Sequence, residues 1–335
     1  MLAWFVVSAT SLCCSGPAAF SRRDVSLLAG AGLGALNSPA QAAVATKPAS
    51  YATQPGIKLN TGVNFPTASF GLQVYDDATA ERLTLIALEQ GYRNFVASVL
   101  ARNQKGFARA VKQSGIPREK LFICGSVLSN NAQGFEAAKK LSARGCRENL
   151  EAFAVGGIDY VDQIMLDYPG PDDESIRGQW AALEEMARDG TTKSLAVSNF
   201  SPAQLDALLS VKGATVPTVN QLPYGVGFGS YYRQRGTSSA DVVAANTKRG
   251  VVVQAWSPLQ RALRGNAKEA RAAVGAKYGK SSAQVALRWI ADTGVTFTTA
   301  ATRKLDGTSA ARFKENADIF DFQLTKEELA TLAAL

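Results

Sequence analysis

The chain of 335 residues contains no histidine. It therefore lacks the one side chain that ordinarily changes charge near neutral pH, which is also a common zinc ligand. Its Asp and Glu residues are not grouped at ligand spacing, so no metal site is expected. Proton chemistry must come from carboxylates, phenols, amines or thiols, and these are unevenly placed. No aspartate occurs between Asp77 and Asp159, and no tyrosine between Tyr92 and Tyr160. Asp167 and Tyr168 stand together after the apolar run 160–166. A carboxyl buried there would hold its proton to higher pH and could act as an acid. Neighbours on a strand face opposite sides, so only one of the two is expected to point inward. Tyr75, after the run 67–72, is a third candidate donor. Cys124 and Cys146 are too few and too far apart for a zinc site or a disulfide framework. They read as two buried thiols, or as a single disulfide if their elements are adjacent. The Gly- and aromatic-rich stretch YGVGFGSYYRQRG (224–236) suits a lid or ligand platform, with an ordinary long loop as the alternative.

Short apolar runs of strand character recur along the chain: TASFGL (67–72), RNFVAS (93–98), LFICGS (121–126), YVDQIML (160–166), KSLAVS (193–198), PTVNQL (217–222), VVVQAW (251–256) and VTFTTA (295–300). Amphipathic helical patterns lie between them, at 78–90, 103–114, 133–153, 174–189, 202–210, 238–249, 282–292 and 308–316. Short apolar strands suit burial on both faces in a parallel sheet. Alternating strand–helix units with short connections predict an α/β fold, a (β/α)8 TIM barrel over residues 57–335, with its site at the C-terminal ends of the strands. A doubly wound sheet is the alternative, but FGLQVYD (70–76) is no Gly-rich phosphate turn. The composition, 46% hydrophobic and 19% charged, is that of a globular chain. The net charge is +8, of which Arg22, Arg23 and Asp24 supply one unit, leaving +7. Lys and Arg are scattered without a run of five, which points to a solvated surface rather than nucleic-acid binding.

Residues 1–42 read as a bipartite targeting segment. MLAWFVVSATSLCCSGPAAF (1–20) resembles a secretory signal peptide without the usual basic start. Arg22-Arg23, a Gly/Ala-rich apolar run and Ala40-Gln41-Ala42 resemble a twin-arginine transfer signal with its cleavage site. The run is too short to span a bilayer, so no stable membrane span is expected after processing. Two stacked signals imply a complex plastid and its thylakoid lumen, or secretion if they form one unusual signal. Residues 43–56, rich in Ala, Thr and Pro, read as a linker.

Several ordered motifs in residues 57–333 resemble the aldo-keto reductase family. They are LNTGVNFP (59–66), GYRNF (91–95), GGIDYVDQIMLDYP (156–169), LAVSNFSPAQL (195–205), VNQLPY (219–224), QAWSPL (254–259), RFKEN (312–316) and FDFQLTKEEL (320–329). The resemblance implies an NADP-dependent oxidoreductase barrel acting on a small carbonyl substrate, with no protein partner indicated. It places Ser198, Asn199 and Gln221 on the nicotinamide carboxamide and Trp256 in place of the family's stacking Tyr. An indole can stack on the same face. Ser257 and Leu259 then lie near the pyrophosphate, Arg303 and Lys304 near the 2′-phosphate, and Arg312, Glu315 and Asn316 at the adenosine end. TRKLDGTSAAR (302–312) is longer than the family pattern there, so NADP(H) contacts are expected chiefly on the nicotinamide side. Little chain follows the last helical pattern, and this short C-terminal tail implies an open mouth.

The family's catalytic Asp, Tyr, Lys and His correspond here to Val96, Ala101, Ser126 and Asp167. In the family the Tyr hydroxyl delivers a proton to the developing alkoxide, and the Lys, held by the Asp, lowers its pKa. Val96 can hold no ammonium, Ala101 carries no proton, Ser126 has no charge, and an ionised Asp167 would repel the alkoxide. Lys120 lies before its strand, at the wrong end of the barrel. The leading expectation is therefore a pseudoenzyme of this fold that binds NADP(H). The alternatives are an oxidoreductase using another donor, with Asp167 and Tyr168 the candidates, and a non-catalytic interaction protein of the plastid lumen.

Overall fold

The computed structural model describes residues 54–262, 266–300 and 305–335. The targeting segment, most of the expected linker, and Arg303 and Lys304 lie outside them.

A two-stranded hairpin, β1 (Gly56–Lys58) and β2 (Asn64–Pro66), comes first. Eight parallel strands follow: β3 (Ala68–Gly71), β4 (Asn94–Val96), β5 (Phe122–Leu128), β6 (Gln163–Asp167), β7 (Leu195–Ser198), β8 (Val219–Pro223), β9 (Val252–Trp256) and β10 (Thr296–Thr299). They close in the order β10-β3-β4-β5-β6-β7-β8-β9. Each falls on one of the expected apolar runs; β5 extends two residues beyond its run, and β6 and β8 one residue each. Ser126 is thus inside the strand rather than after it, because the ladder continues from Ser126↔Met165 to Leu128↔Asp167.

The outer layer is α1 (Asp77–Glu89), α2 (Gln104–Ser114), α3 (Phe135–Ala154), α4 (Asp173–Arg188), α5 (Pro202–Leu209), α6 (Gly229–Arg233), α7 (Ser239–Thr247), α8 (Asn266–Tyr278), α9 (Ser282–Asp292), α10 (Ser309–Ala317) and α11 (Lys326–Ala333). Side-chain chemistry sets many helix starts. Ser201 with Gln204, Ser238 with Asp241, Ser281 with Gln284 and Thr325 with Glu328 form reciprocal capping boxes that satisfy orphan backbone N–H groups. Among the described residues, no helix is long and apolar enough to cross a membrane.

The hairpin closes the N-terminal end. Its Phe65 packs edge-on against Phe122 at 5.1 Å, in one buried cluster with Val96, Cys124, Met165 and Ala196. Asn60 Nδ2 lies 3.3 Å from the carbonyl oxygens of Pro217 and Gly250 and donates to them. Asp162, just before β6, pairs with Arg118 at 2.7 Å and Lys193 at 3.2 Å and accepts the Ile123 N–H. Lys120 lies in the turn leading into β5, at this same end. Cys124 and Cys146 are free and buried, so the disulfide alternative is not realised. Burial pushes the Cys146 thiol up to about 12.

Candidate active site

Residues on one face of a strand recur at every second position, so Gln163, Met165 and Asp167 share a face of β6. The ladder carries this face around the barrel, pairing Asp167 with Ser198 and Ser198 with Gln221. On the next strand Gln221 stands opposite Gln254, and Pro223 opposite Trp256. The chain thus brings Asp167, Ser198, Asn199, Gln221 and Trp256 together on four adjacent strand ends.

Hydrogen bonds join them. Asn199 takes a left-handed conformation (φ 65°), which asparagine tolerates better than most residues. Its backbone N–H donates to the Gln221 carbonyl at 2.9 Å. Its side-chain Nδ2 donates to Ser198 Oγ at 2.9 Å and lies 3.5 Å from Asp167 Oδ1. Its Oδ1 accepts Trp256 Nε1–H at 3.1 Å, which fixes the indole plane beside the amide. Gln221 Nε2 donates to Gln254 Oε1 at 2.7 Å, and Gln254 Nε2 to Ser69 Oγ at 3.1 Å. Gln254 was read only as part of a motif. The signal for it was polar residues at every second position of otherwise buried strands.

Asp167 is the one titratable group in this set. It is 8% exposed, and no ion pair among the described residues reaches it. Burial raises its pKa to about 6, partly offset by a hydrogen bond from the Ser198 side chain. Tyr168 has a left-handed backbone (φ 67°) that breaks strand alternation, and it is 41% exposed. It therefore does not pack away beneath the following loop. Burial, then the neighbouring Asp167 and Tyr231, push its phenol upward from 10. That is opposite to the shift a phenolic proton donor requires, so Asp167 is the better placed of the two.

The other three positions that the resemblance assigns to the tetrad carry no charge. Val96 ends β4 inside the apolar cluster. Ala101 lies half-buried in the turn that follows. Ser126 Oγ accepts the Val99 N–H at 3.1 Å, so this side chain pins the β4 loop. Tyr75 is buried, with its ring 5.9 Å from Phe70. Buried Asn103 also went unrecognised in the sequence. It donates to the carbonyls of Leu72 and Tyr75 and accepts the Ser98 N–H, tying together the loops after β3 and β4.

The groups that could hold a dinucleotide divide in two. Ser198, Asn199 and Gln221 offer amide and hydroxyl groups beside the Trp256 indole, a set that fits a carboxamide-bearing ring. Ser257 follows in a left-handed conformation (φ 50°), and Leu259 packs on the core. Arg312, Glu315 and Asn316 stand on α10, where Arg312 is exposed and Asn316 buried. Among the described residues no hydrogen bond links these three to the strand-end set. The stretch 224–236 is anchored rather than loose: Tyr232 donates to the Pro223 carbonyl at 2.6 Å, and Tyr224 stacks on Trp289. Together with α7, α9 and α11 it lines an outer cleft of about 880 Å³, and no strand-end residue named above borders that cleft. Among the described residues no acidic or cysteine group forms a metal centre.

A raised carboxyl pKa has a consequence for stability. The folded protein holds the Asp167 proton up to about pH 6, whereas the unfolded chain releases it near 3.8. The contribution of protonated Asp167 is therefore full below pH 3.8 and lost as pH rises through 6. Above that the buried carboxylate costs up to about 3 kcal/mol. Asp167→Asn is expected to raise the urea midpoint at pH 8 and to leave it little changed at pH 4. Equal effects at both pH values would refute a raised pKa.

Comparison with known proteins agrees with the barrel fold. Residues 64–335 match the model of the aldo/keto reductase family. The chain is 33% identical over 282 residues to a glyoxal reductase of Bacillus subtilis, covering 83% of this chain and 92% of that protein. It is 30% identical over 287 residues to an aldo-keto reductase of Mycolicibacterium vanbaalenii, covering 85% and 94%. Among solved structures, an aldo/keto reductase from Brucella melitensis superposes with a TM-score of 0.72 at 27% identity, over 84% of this chain and 99% of that one. The chain belongs to the aldo-keto reductase family.

Proposed function

We propose that this protein binds NADP(H) at the ends of β7, β8 and β9 and does not carry out the tyrosine-dependent carbonyl reduction of its family. The observation that carries this is the composition of the mouth. Where the family's proton donor and its cationic partner would stand, the chain has Ala101 and Ser126, and Val96 lies in an apolar layer. Losing a general acid typically costs about 10²–10⁴ in rate, and linked losses do not simply multiply. Bound NADPH would supply a hydride at this mouth. Ser198, Asn199 and Gln221 would hold its carboxamide, and Trp256 would cover one face of the ring. Stacked signals in residues 1–42 support a plastid lumen as the site of action.

NADPH is expected to quench the tryptophan fluorescence of the mature chain saturably at micromolar concentration, with the quench reduced in Trp256→Phe. Small dicarbonyls should give no turnover above a boiled control. No quench at millimolar NADPH would remove the cofactor and leave the barrel as an interaction scaffold.

A second reading has one observation in its favour. Asp167, with its pKa near 6, is a buried acid at the mouth. If it delivers the proton, reduction falls about tenfold per pH unit above 6, and Asp167→Asn abolishes both activity and slope. Turnover that persists unchanged in Asp167→Asn would exclude it.

Residues 1–42 fused to a fluorescent protein should deliver it to the plastid of a complex alga. Fluorescence in the medium would instead mark secretion.

A further inference from the structure

The glycine- and aromatic-rich stretch 224–236 builds one wall of the outer cleft of about 880 Å³, and the strand-end site makes no use of it. The cleft is a trough between two helices. On one side α7 turns Val242 and Asn246 into the protein and a second face, Ala240, Val243, Ala244 and Thr247, onto the trough. These positions follow i, i+3, i+4 and i+7, a single helical face about 10 Å long. On the other side α11 presents Leu329, Ala330 and Ala333. Tyr224 and Trp289, both buried and stacked at 5.5 Å, form the floor. Ala240, Ala244, Ala330 and Ala333 are exposed, so nothing among the described residues covers the two faces. A cleft of this size with apolar walls suits a small molecule.

The charge on the trough has one sign. Its charged lining residues are Arg233 and Lys248, and no Asp or Glu lines it. Neither cation forms an ion pair among the described residues, whereas Arg249, next in the chain, grips Asp206 with two bonds of 2.7 Å. The two cations stand at opposite ends of α7. Arg233 ends α6, and the turn after it, where the Gly236 N–H returns to the Arg233 carbonyl, leads into Ser238, the cap of α7. A Cβ on Gly229 would lie 2.9 Å from Arg233 Nη1 and 3.8 Å from the Ala333 carbonyl oxygen. The guanidinium therefore lies over bare backbone beside the last turn of α11. Asp241 at this end is held by Ser238 in the capping box and does not line the trough. Lys248 closes α7 at its other end. An anion is disfavoured there, because the helix ends in carbonyl groups and Lys248 already neighbours Asp206.

We propose that this trough binds an amphipathic carboxylate of the fatty-acid class, with its alkyl chain between α7 and α11 and its carboxylate on the Arg233 guanidinium. The planar fork matches a carboxylate in charge and in paired hydrogen-bond geometry. Other occupants lack that match. Residues 43–53 carry Lys47 and no acid, and a second copy in a two-fold contact would set the same positive face against itself. The site stands apart from the cofactor reading, because none of the residues assigned to the nicotinamide borders the trough.

The test is calorimetric titration of the mature protein with decanoate, without NADPH. One-to-one binding is expected, strengthening about two- to fourfold with each CH2 from hexanoate to decanoate. Arg233→Gln should weaken decanoate about tenfold and leave decanol unchanged. Ala244→Trp and Ala240→Trp, on exposed positions of α7, should fill the trough and abolish binding of both ligands, with circular-dichroism melts close to that of the wild type. A wild type that binds no decanoate, or Trp variants that bind it as the wild type does, would overturn the site. Equal decanoate affinity in the wild type and Arg233→Gln would overturn the placing of the carboxylate. A wild-type dimer in sedimentation that Ala244→Trp dissolves would give the trough to a second copy and overturn the proposal.

Discussion

In a closed parallel barrel each strand's backbone is committed to its two neighbours, so inward side chains must satisfy one another. This constraint organises the whole interior. Near the hairpin it is met by apolar residues, with Phe65, Phe122, Val96, Cys124, Met165 and Ala196 in one cluster. Elsewhere it is met by polar pairs: Gln163 with Thr218, Gln221 with Gln254, and Gln254 with Ser69. At the mouth the pairing runs through Trp256 and Asn199 to Ser198 and Asp167. No cation among the described residues pairs with Asp167, and burial there is what moves its proton affinity.

The same constraint makes the residues at the four expected tetrad positions mutually consistent. A lysine in place of Ser126 would need a carboxylate beside it, and Val96 offers none. With both charges gone, the Ser126 hydroxyl takes the Val99 amide instead and the layer beneath closes as hydrocarbon. Retaining only one of the pair would leave an unpaired charge in a buried setting, which costs several kcal/mol. Asp167, at the position expected for the histidine, can be accommodated without a cation because it can take up a proton.

Much of the architecture was legible in the sequence. Each barrel strand fell on a marked run, since a buried parallel strand is continuously apolar and short. The Ala-rich α8 was not marked, because alanines give little contrast between faces, and five-residue α6 is too short to show a period. Ser198, Asn199, Gln221 and Trp256 were found through their motifs. Their cross-links were not, because Gln221 meets Gln254 and Asn199 meets Trp256 only after the sheet has closed. The left-handed backbone of Tyr168 was also invisible, since tyrosine gives no hint of it. Asp167 was recognised as a candidate acid, but its proton affinity depends on enclosure that no local pattern reports.

The hairpin has a kinetic meaning. Asn60 clasps carbonyls from the chain entering β8 and β9, and Phe65 fills the space above. One end of the barrel is thereby stoppered, so the ends of β6 to β9 can be approached only from the other. Were two ligands to share that single approach, as the cofactor reading requires, the one seated deeper would have to enter first and depart last. That order would be imposed by a three-residue strand pair at the far end of the barrel, with no moving part.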